Sequence, residues 1–193
     1  MNRFLKLAIV GLVASCGGGG NYKAPRNLES ACAIAAERPA YMRAMKATER
    51  RWGVPVHVQM ATIHQESKFI GDARTPHQYA LGVIPIGRQS SAFGYSQALD
   101  GTWDEYRRAS GNRLASRTNF ADAVDFVGWY HRRSHEQNGI ALNDAYNLYL
   151  SYYAGHAGFR RGVWRSNPGM QAAARRAANM ANSYAQQLRG CRL

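Results

Sequence analysis

The sequence predicts a mainly α-helical fold in one domain. Its 193 residues and 46% hydrophobic content suffice for a single core. Helix start and stop signals recur along the chain, and nothing repeats at a fixed period. The one long interruption, between Gly71 and Gly94, is rich in glycine, proline and serine. It indicates a long loop with at most a small hairpin.

The N-terminus is predicted to be a leader that is not part of this core. Arg3 and Lys6 precede an apolar run over residues 7–14. This run is too short for the roughly 20 residues of a bilayer-spanning helix. Residues 1–15 are therefore interpreted as a signal peptide.

A lipid-modified cysteine and a flexible tether are predicted to follow. Residues 13–16, Val-Ala-Ser-Cys, are similar to the bacterial lipobox, in which the cysteine becomes a membrane anchor. The alternative is an ordinary signal peptide with a chance Cys16. Four glycines come next, so residues 16–27 are predicted to tether a domain over residues 28–193. Gly17, where aspartate would signal inner-membrane retention, predicts the periplasmic face of the outer membrane.

The two remaining cysteines are predicted to form a disulfide. Cys32 and Cys191 lie near the two ends of the predicted domain. Domain termini are often close together, and an exported compartment favours oxidation. The alternative is two unpaired, buried thiols.

The net charge predicts a polyanionic partner. It is +13, and losing Arg3 and Lys6 with the leader lowers it by two, to +11. Arginine pairs are scattered along the chain instead of being concentrated in a tail or recognition helix. This scatter favours attraction to a negatively charged wall or envelope, with nucleic-acid binding as the weaker alternative.

Proline and glycine delimit the first helices. Pro39 opens one helix and Gly53 closes it, and Pro55 opens the next. After the long loop, helix resumes near Thr102, with Asp100 as a possible cap, and stops at Gly111.

Three more helices follow. Asn119 opens one whose buried stripe holds Ala123, Phe126, Val127 and Tyr130. Asn143 opens another that ends at Gly155, and Ala145, Leu148, Tyr149 and Tyr152 share one of its faces. Asn167 and Pro168 begin the terminal helix and Gly190 stops it, with Ala173, Ala177, Tyr184 and Leu188 facing inward.

The helix that follows Pro55 delivers a carboxylate to the end of an apolar turn. From about Val56, helical spacing places Val56, Met60 and Ile63 on one stripe, with Glu66 at its margin. Partial desolvation is expected to raise the pKa of Glu66 from roughly 4.3 toward roughly 6, where it can donate a proton near neutral pH. The alternative is a surface glutamate at a helix end.

No metal site or cofactor is predicted. His131 and His135 have a zinc-compatible i, i+4 spacing, but neither an HExxH pattern nor nearby cysteine ligands accompany them. His64 lies on a different helix face from Glu66 and is predicted to be structural or exposed.

Three motifs in order resemble one family. They are Ile-His-Gln-Glu-Ser at residues 63–67, Ala-Phe-Gly-Tyr-Ser-Gln-Ala at residues 92–98 with Thr-Trp at 102–103, and Tyr-Leu-Ser-Tyr-Tyr-Ala-Gly-His at residues 149–156. Over roughly residues 31–191 the chain resembles the soluble lytic transglycosylase (SLT) catalytic domain. This implies a goose-type, lysozyme-like helical fold that acts on peptidoglycan glycan strands.

The resemblance also implies residue roles. Glu66 is the implied catalytic acid, and Tyr152 stands beside it. Tyr95 and Ser96 replace the family's Leu-Met, so the resemblance does not define the lining of the cleft at these positions. Tyr153 replaces the family's Asn, so the polar contact of that Asn is not carried over. Gln97 is preferred over Ser96 as the partner of a sugar acetamido group. The implied substrate-binding residues are Ser67, Phe93, Gly94, Tyr95, Ser96, Gln97 and Tyr153.

The implied reaction needs one carboxylate. In the family, a single glutamate cleaves the bond between N-acetylmuramic acid and N-acetylglucosamine and leaves a 1,6-anhydromuramic end. Asp100 and Asp104 are better explained as capping and first-turn residues. Two alternatives remain: a hydrolytic muramidase with Asp72 or Asp100 as second carboxylate, and an inactive wall-binding lipoprotein.

Overall fold

The computed structural model describes residues 22–81 and 83–191. The predicted leader, Cys16 and most of the tether lie outside these residues. The part of the tether that is described is not free: the Gly71 amide donates to the Tyr22 carbonyl oxygen at 2.9 Å, and the Arg26 amide donates to Glu37 at 3.0 Å. These two hydrogen bonds connect Tyr22 and Arg26 to the folded domain.

Helices dominate the described residues. The chain forms α1 (Ala31–Glu37), α2 (Pro39–Trp52), α3 (Val56–Ser67), β1 (His77–Ala80), β2 (Ile84–Arg88), α4 (Asp100–Ser110), α5 (Phe120–Asn138), α6 (Ala145–Ala154), α7 (His156–Arg161) and α8 (Pro168–Leu188). The predicted mainly helical class is confirmed. The long loop contains one small antiparallel hairpin, β1–β2, with an irregular register between Gln78 and Tyr79.

Most predicted helix boundaries are confirmed. Pro39 is the first residue of α2, and Gly53 ends it with a left-handed φ of 76°. The Asn119 side chain accepts hydrogen bonds from the first turn of α5, and that of Asn167 does so for α8.

Two boundaries differ from the prediction, and two short helices are additional. Helix α4 begins at Asp100 itself, whose carboxylate pairs with Arg117 instead of capping the helix. Asp144, and not Asn143, caps α6, because its side chain accepts from the Asn147 amide. The short helices α1 and α7 were not predicted, since helices of 7 and 6 residues carry little periodicity.

Helix α3 is the central element. It contacts α2, α5, α6 and α8 and is buried on nearly all sides, so the predicted one-sided stripe is too narrow. Its buried polar side chains find internal partners. The Gln59 amide, for example, donates to the carbonyl oxygens of Met45 and Val54 at 3.1 and 2.7 Å.

The two ends of the domain meet. Cys32 and Cys191 form the predicted disulfide, with Cα atoms 5.4 Å apart. Beside it, the Gln187 side chain accepts a hydrogen bond from the Ala31 amide at 2.6 Å. Within residues 22–81 and 83–191, no helix combines the length and apolar character that a bilayer crossing requires.

Candidate active site

Glu66 lies in the last turn of the central helix α3. The chain leaves this helix through Lys68 and Phe69, whose φ angles of 53° and 61° are left-handed. The Lys68 amide donates to the His64 carbonyl oxygen at 3.1 Å and closes the helix. This sharp exit leaves Glu66 half-buried, at the point where a buried helix reaches the surface.

The environment of Glu66 favours its protonated form. Burial raises the pKa of Glu66 from 4.5 to about 7, although a hydrogen bond from Tyr149 and the positive charge of Lys68 act in the opposite direction. The carboxyl group is therefore present in both protonation states near neutral pH. A group of this kind can act as an acid and then as a base.

Tyr149 is the hydrogen-bonding partner of this carboxyl group. It is 3% exposed on α6, and burial together with the charge of Glu66 raises its pKa, so it stays a neutral donor. Sequence analysis placed Tyr149 on the inward face of α6 but gave it no role at the site. The signal that pointed to it was its position one helical turn before Tyr152.

Tyr152 is close to Glu66, but its hydroxyl bonds elsewhere. The hydroxyl donates to the Ser96 carbonyl oxygen at 2.6 Å. The negative charge of Glu66 contributes to a raised pKa of Tyr152, after the larger effect of burial. The ring packs against Tyr130, with centroids 4.9 Å apart. Tyr152 thus links α6 to the turn that holds Gln97.

A tight turn presents Gln97 to the cleft. The φ angle of Gly94 is +77°, and a Cβ atom there would lie 2.2 Å from the Arg117 carbonyl oxygen, so only glycine fits. The Gln97 side-chain nitrogen donates to the carbonyl oxygens of Ala73 and Gly94 at 2.9 and 2.8 Å. These bonds fix the amide and turn its nitrogen inward.

Three predicted substrate-binding residues are buried and do not line the cleft. Tyr95 is 3% exposed, and its hydroxyl lies 2.7 Å from that of Tyr41 in the core. Ser96 is fully buried, and Ser67 donates its hydroxyl to the Ile63 carbonyl oxygen at 3.2 Å. The turn directs Tyr95 and Ser96 into the protein and leaves Gln97 half-buried beside the cleft.

Phe93 is half-buried and carries arginine side chains on its ring. The guanidinium carbon of Arg74 lies 3.8 Å from the ring centroid, and that of Arg117 lies 5.4 Å away. The ring therefore takes part in cation–π contacts that brace the loop. A sugar ring would have to compete with Arg74 for this face.

A cleft of about 250 Å³ contains Tyr152 and two of the predicted substrate-binding residues, Gln97 and Tyr153, whereas Gly94 and Glu66 are not among the residues that line it. Tyr153 forms one wall and is 54% exposed, so its ring is free to contact a ligand. The other lining residues are Gln97, Ala98, Leu99, Thr102, Phe126, Tyr130, Tyr152, Ala154 and Gly155.

The sequence pattern of the transglycosylase SLT domain matches residues 4–191 of this chain. The chain belongs to the transglycosylase SLT domain family. The match confirms the predicted lysozyme-like fold and a lytic transglycosylase-type function directed at peptidoglycan, a polymer of the cell envelope. None of the curated proteins matches this chain.

The three aspartates of this SLT domain that were considered as a second carboxylate lie in different surroundings. Asp72 is exposed, Asp100 pairs with Arg117 at 2.6 Å, and Asp104 pairs with Arg107 at 3.3 Å. None of the three contributes to the shift in the pKa of Glu66. Among the described residues, the charge that affects this pKa is that of Lys68. None of these three carboxylates is therefore paired with Glu66.

The histidines of the SLT domain have structural partners. His131 is fully buried and lies 2.9 Å from the Thr62 hydroxyl, and His135 contacts the Ile140 carbonyl oxygen at 2.9 Å. His64 is buried, and desolvation lowers its pKa to about 4, so it is neutral. Within the described residues, no cluster of three or more potential ligands could hold a metal ion.

Proposed function

We propose that this SLT domain is a lytic transglycosylase that cleaves the β-1,4 bond between N-acetylmuramic acid and N-acetylglucosamine and forms 1,6-anhydromuramic ends. One observation carries the proposal: Glu66 has a pKa of about 7, accepts a hydrogen bond from Tyr149 and lies near Tyr152, which lines the cleft.

In this proposal Glu66 acts twice. Its protonated form gives the proton to the glycosidic oxygen as the bond from that oxygen to muramic C1 breaks. The resulting carboxylate accepts the proton of the muramic 6-hydroxyl, whose oxygen bonds to C1. Glu66 ends protonated and no water is consumed. An internal hydroxyl held in place has a very high effective concentration, so a second carboxylate is unnecessary.

The cleft residues have separate proposed roles. Tyr149 orients the Glu66 carboxyl group and stabilises its ionised form. Tyr152 holds the Gln97 turn through the Ser96 carbonyl oxygen, and so acts by positioning. The fixed amide of Gln97 presents its oxygen to the N–H of an acetamido group, and the exposed ring of Tyr153 packs on a pyranose face.

The two alternatives have less support. A hydrolytic muramidase needs a carboxylate opposite Glu66, but Asp100 is engaged with Arg117 and Asp72 points to solvent. An inactive wall-binding protein has no need of a half-buried carboxyl group, since burying one opposes folding.

Attachment to the outer membrane is proposed from the sequence. A lipidated Cys16 would anchor the domain at the periplasmic face, and a disulfide between Cys32 and Cys191 is compatible with an exported protein.

Digestion of purified peptidoglycan in heavy-oxygen water tests the proposal. We expect muramic ends that are anhydro forms without label, and loss of at least 99% of activity in Glu66→Gln, because the amide keeps the shape without a transferable proton. Glu136→Gln is the matched control, since Glu136 lies on the surface and pairs with Arg132; it should retain activity. Labelled reducing ends would establish hydrolysis instead, and an active Glu66→Gln variant would reject Glu66 as the acid.

A further inference from the structure

The β1–β2 hairpin stands apart from the helices. Across the described residues, neither strand packs against any helix. Its base is firmly held, because the Thr75 hydroxyl donates to the Ser90 carbonyl oxygen at 3.0 Å and the Gln89 amide to that of Pro76 at 3.2 Å. The hairpin is therefore an anchored projection with a free tip.

The tip of this hairpin exposes large apolar side chains to solvent. The exposed fractions are 55% for Tyr79, 91% for Leu81, 76% for Val83 and 64% for Ile86. Clusters of this kind are uncommon on soluble domains and mark interaction sites. Folding does not explain them, because these side chains contribute little to the core.

Leu81 is also an unusual residue for its backbone conformation. Its φ angle of 51° is left-handed, where turns favour glycine, asparagine or aspartate. A leucine that is 91% exposed at such a position costs local stability and fills no internal space. Its side chain is thus best explained by a contact outside the chain.

The charge at the base of the hairpin is positive, because Arg88 pairs with His77 at the end of the strands opposite the tip and Arg74 precedes β1. Between Asp72 and Asp100 the sequence has no acidic residue, but it has Arg74 and Arg88, both exposed. Aliphatic side chains offer no hydrogen bond to the hydroxyl and acetamido groups of a glycan. An apolar tip with cations at the hairpin base behind it instead matches the boundary between acyl chains and anionic headgroups.

We propose that the hairpin tip inserts into a membrane surface that contains anionic phospholipids. Leu81, Val83 and Ile86 enter the headgroup–acyl boundary, while Arg74 and Arg88 stay near the phosphates. This contact is separate from any lipid on Cys16. Because the hairpin connects the end of α3 to the Gln97 turn, it would hold the cleft beside the membrane.

A fluorescent probe at the tip tests this proposal. Full-length protein with Val83→Cys is labelled with an environment-sensitive dye and mixed with vesicles of phosphatidylethanolamine and phosphatidylglycerol, or of phosphatidylcholine alone. We expect a blue shift and quenching by acyl-chain quenchers with the anionic vesicles, weakened by high salt. Leu114→Cys is the matched control, because Leu114 is 94% exposed and belongs to the connection between α4 and α5, not to the hairpin. The unsubstituted chain, labelled in the same way, gives the background from Cys16.

A triple variant separates this proposal from the catalytic one. Leu81→Ser, Val83→Ser and Ile86→Ser together should weaken binding to anionic vesicles about tenfold or more relative to Leu114→Ser, while cleavage of purified peptidoglycan is unchanged. A tip probe that does not respond to vesicles would overturn the proposal, and a response to purified peptidoglycan alone would assign the tip to the glycan strand.

Discussion

At the scale of single residues, the site depends on how one carboxyl group is kept between two protonation states. Desolvation alone would hold Glu66 protonated and prevent it from acting as a base. The Tyr149 hydrogen bond and the Lys68 charge lower its pKa again, to about 7. Tyr149 therefore affects the second half of the proposed reaction, in which Glu66 must be ionised to accept a proton.

Replacing Tyr149 should change the pH profile of peptidoglycan cleavage. In the proposed reaction Glu66 acts first as an acid, so activity should be present below its pKa and fall as the pH rises through about 7. Because the Tyr149 hydrogen bond favours the carboxylate, Tyr149→Phe should move this alkaline limb upward by about 0.5–1 pH unit. Cleavage rates measured across the pH range give the position of this alkaline limb.

Tyr152→Phe is the comparison for this experiment. The Tyr152 hydroxyl donates to the Ser96 carbonyl oxygen. Removing this hydroxyl should loosen the Gln97 turn and lower the cleavage rate, while the alkaline limb of the pH profile stays almost unchanged. A limb that shifts downward in Tyr149→Phe, or shifts only in Tyr152→Phe, would contradict the roles given to the two tyrosines.

At the scale of elements, helices α2 and α5 cross closely, and α5 contributes residues to the wall of the cleft. At Gly128, a Cβ atom would lie 2.4 Å from the Thr48 methyl group and 2.7 Å from the Trp52 ring. Helix α5 carries Phe126 and Tyr130, and both line the cleft. The spacing of these two helices therefore sets the position of a cleft wall.

Gly128→Ala should destabilise the domain by about 1–3 kcal/mol, because the added methyl group forces the two helices apart. Urea unfolding followed by tryptophan fluorescence measures the change. Gly101→Ala is the control: it adds the same methyl group to α4, where nothing lies within 4 Å. It should be neutral, or stabilise by up to about 1 kcal/mol. Equal effects at the two positions would argue against a tight crossing.

At the scale of the whole molecule, the N- and C-terminal parts of the domain are joined. The disulfide links residues that are 159 positions apart, and Gln187 of α8 accepts from the Ala31 amide and donates to the Glu29 carbonyl oxygen. Helix α8 also packs against α3, which carries Glu66. Closure of the chain thus supports the helix that presents the acid.

Removing the disulfide should lower the free energy of unfolding by about 2–5 kcal/mol, because a long loop in the unfolded state is released. Cys32→Ala with Cys191→Ala, compared with the parent in urea unfolding, measures this difference. A reducing agent should destabilise the parent and leave the double variant unchanged. A double variant as stable as the oxidised parent would show that α8 docking alone closes the domain.

The sequence by itself determined the helical class, most helix limits, the cysteine pair and Glu66 as a half-buried carboxyl group. Each of these rests on local chemistry: proline and glycine at helix ends, apolar residues at helical spacing, or one titratable side chain at the margin of such an apolar stripe. The resemblance carried by three short motifs added the family, which the match over residues 4–191 confirmed.

Only the tertiary structure decided which side chains meet. It paired Glu66 with Tyr149, turned the Tyr152 hydroxyl to Ser96, and buried Tyr95 in the core. The order of the motifs along the chain could not predict which partner each of these tyrosines contacts. Whether a tyrosine faces a carboxyl group, a carbonyl oxygen or another ring depends on how α3, α6 and the Gln97 turn pack, and packing is set by contacts between residues far apart in sequence.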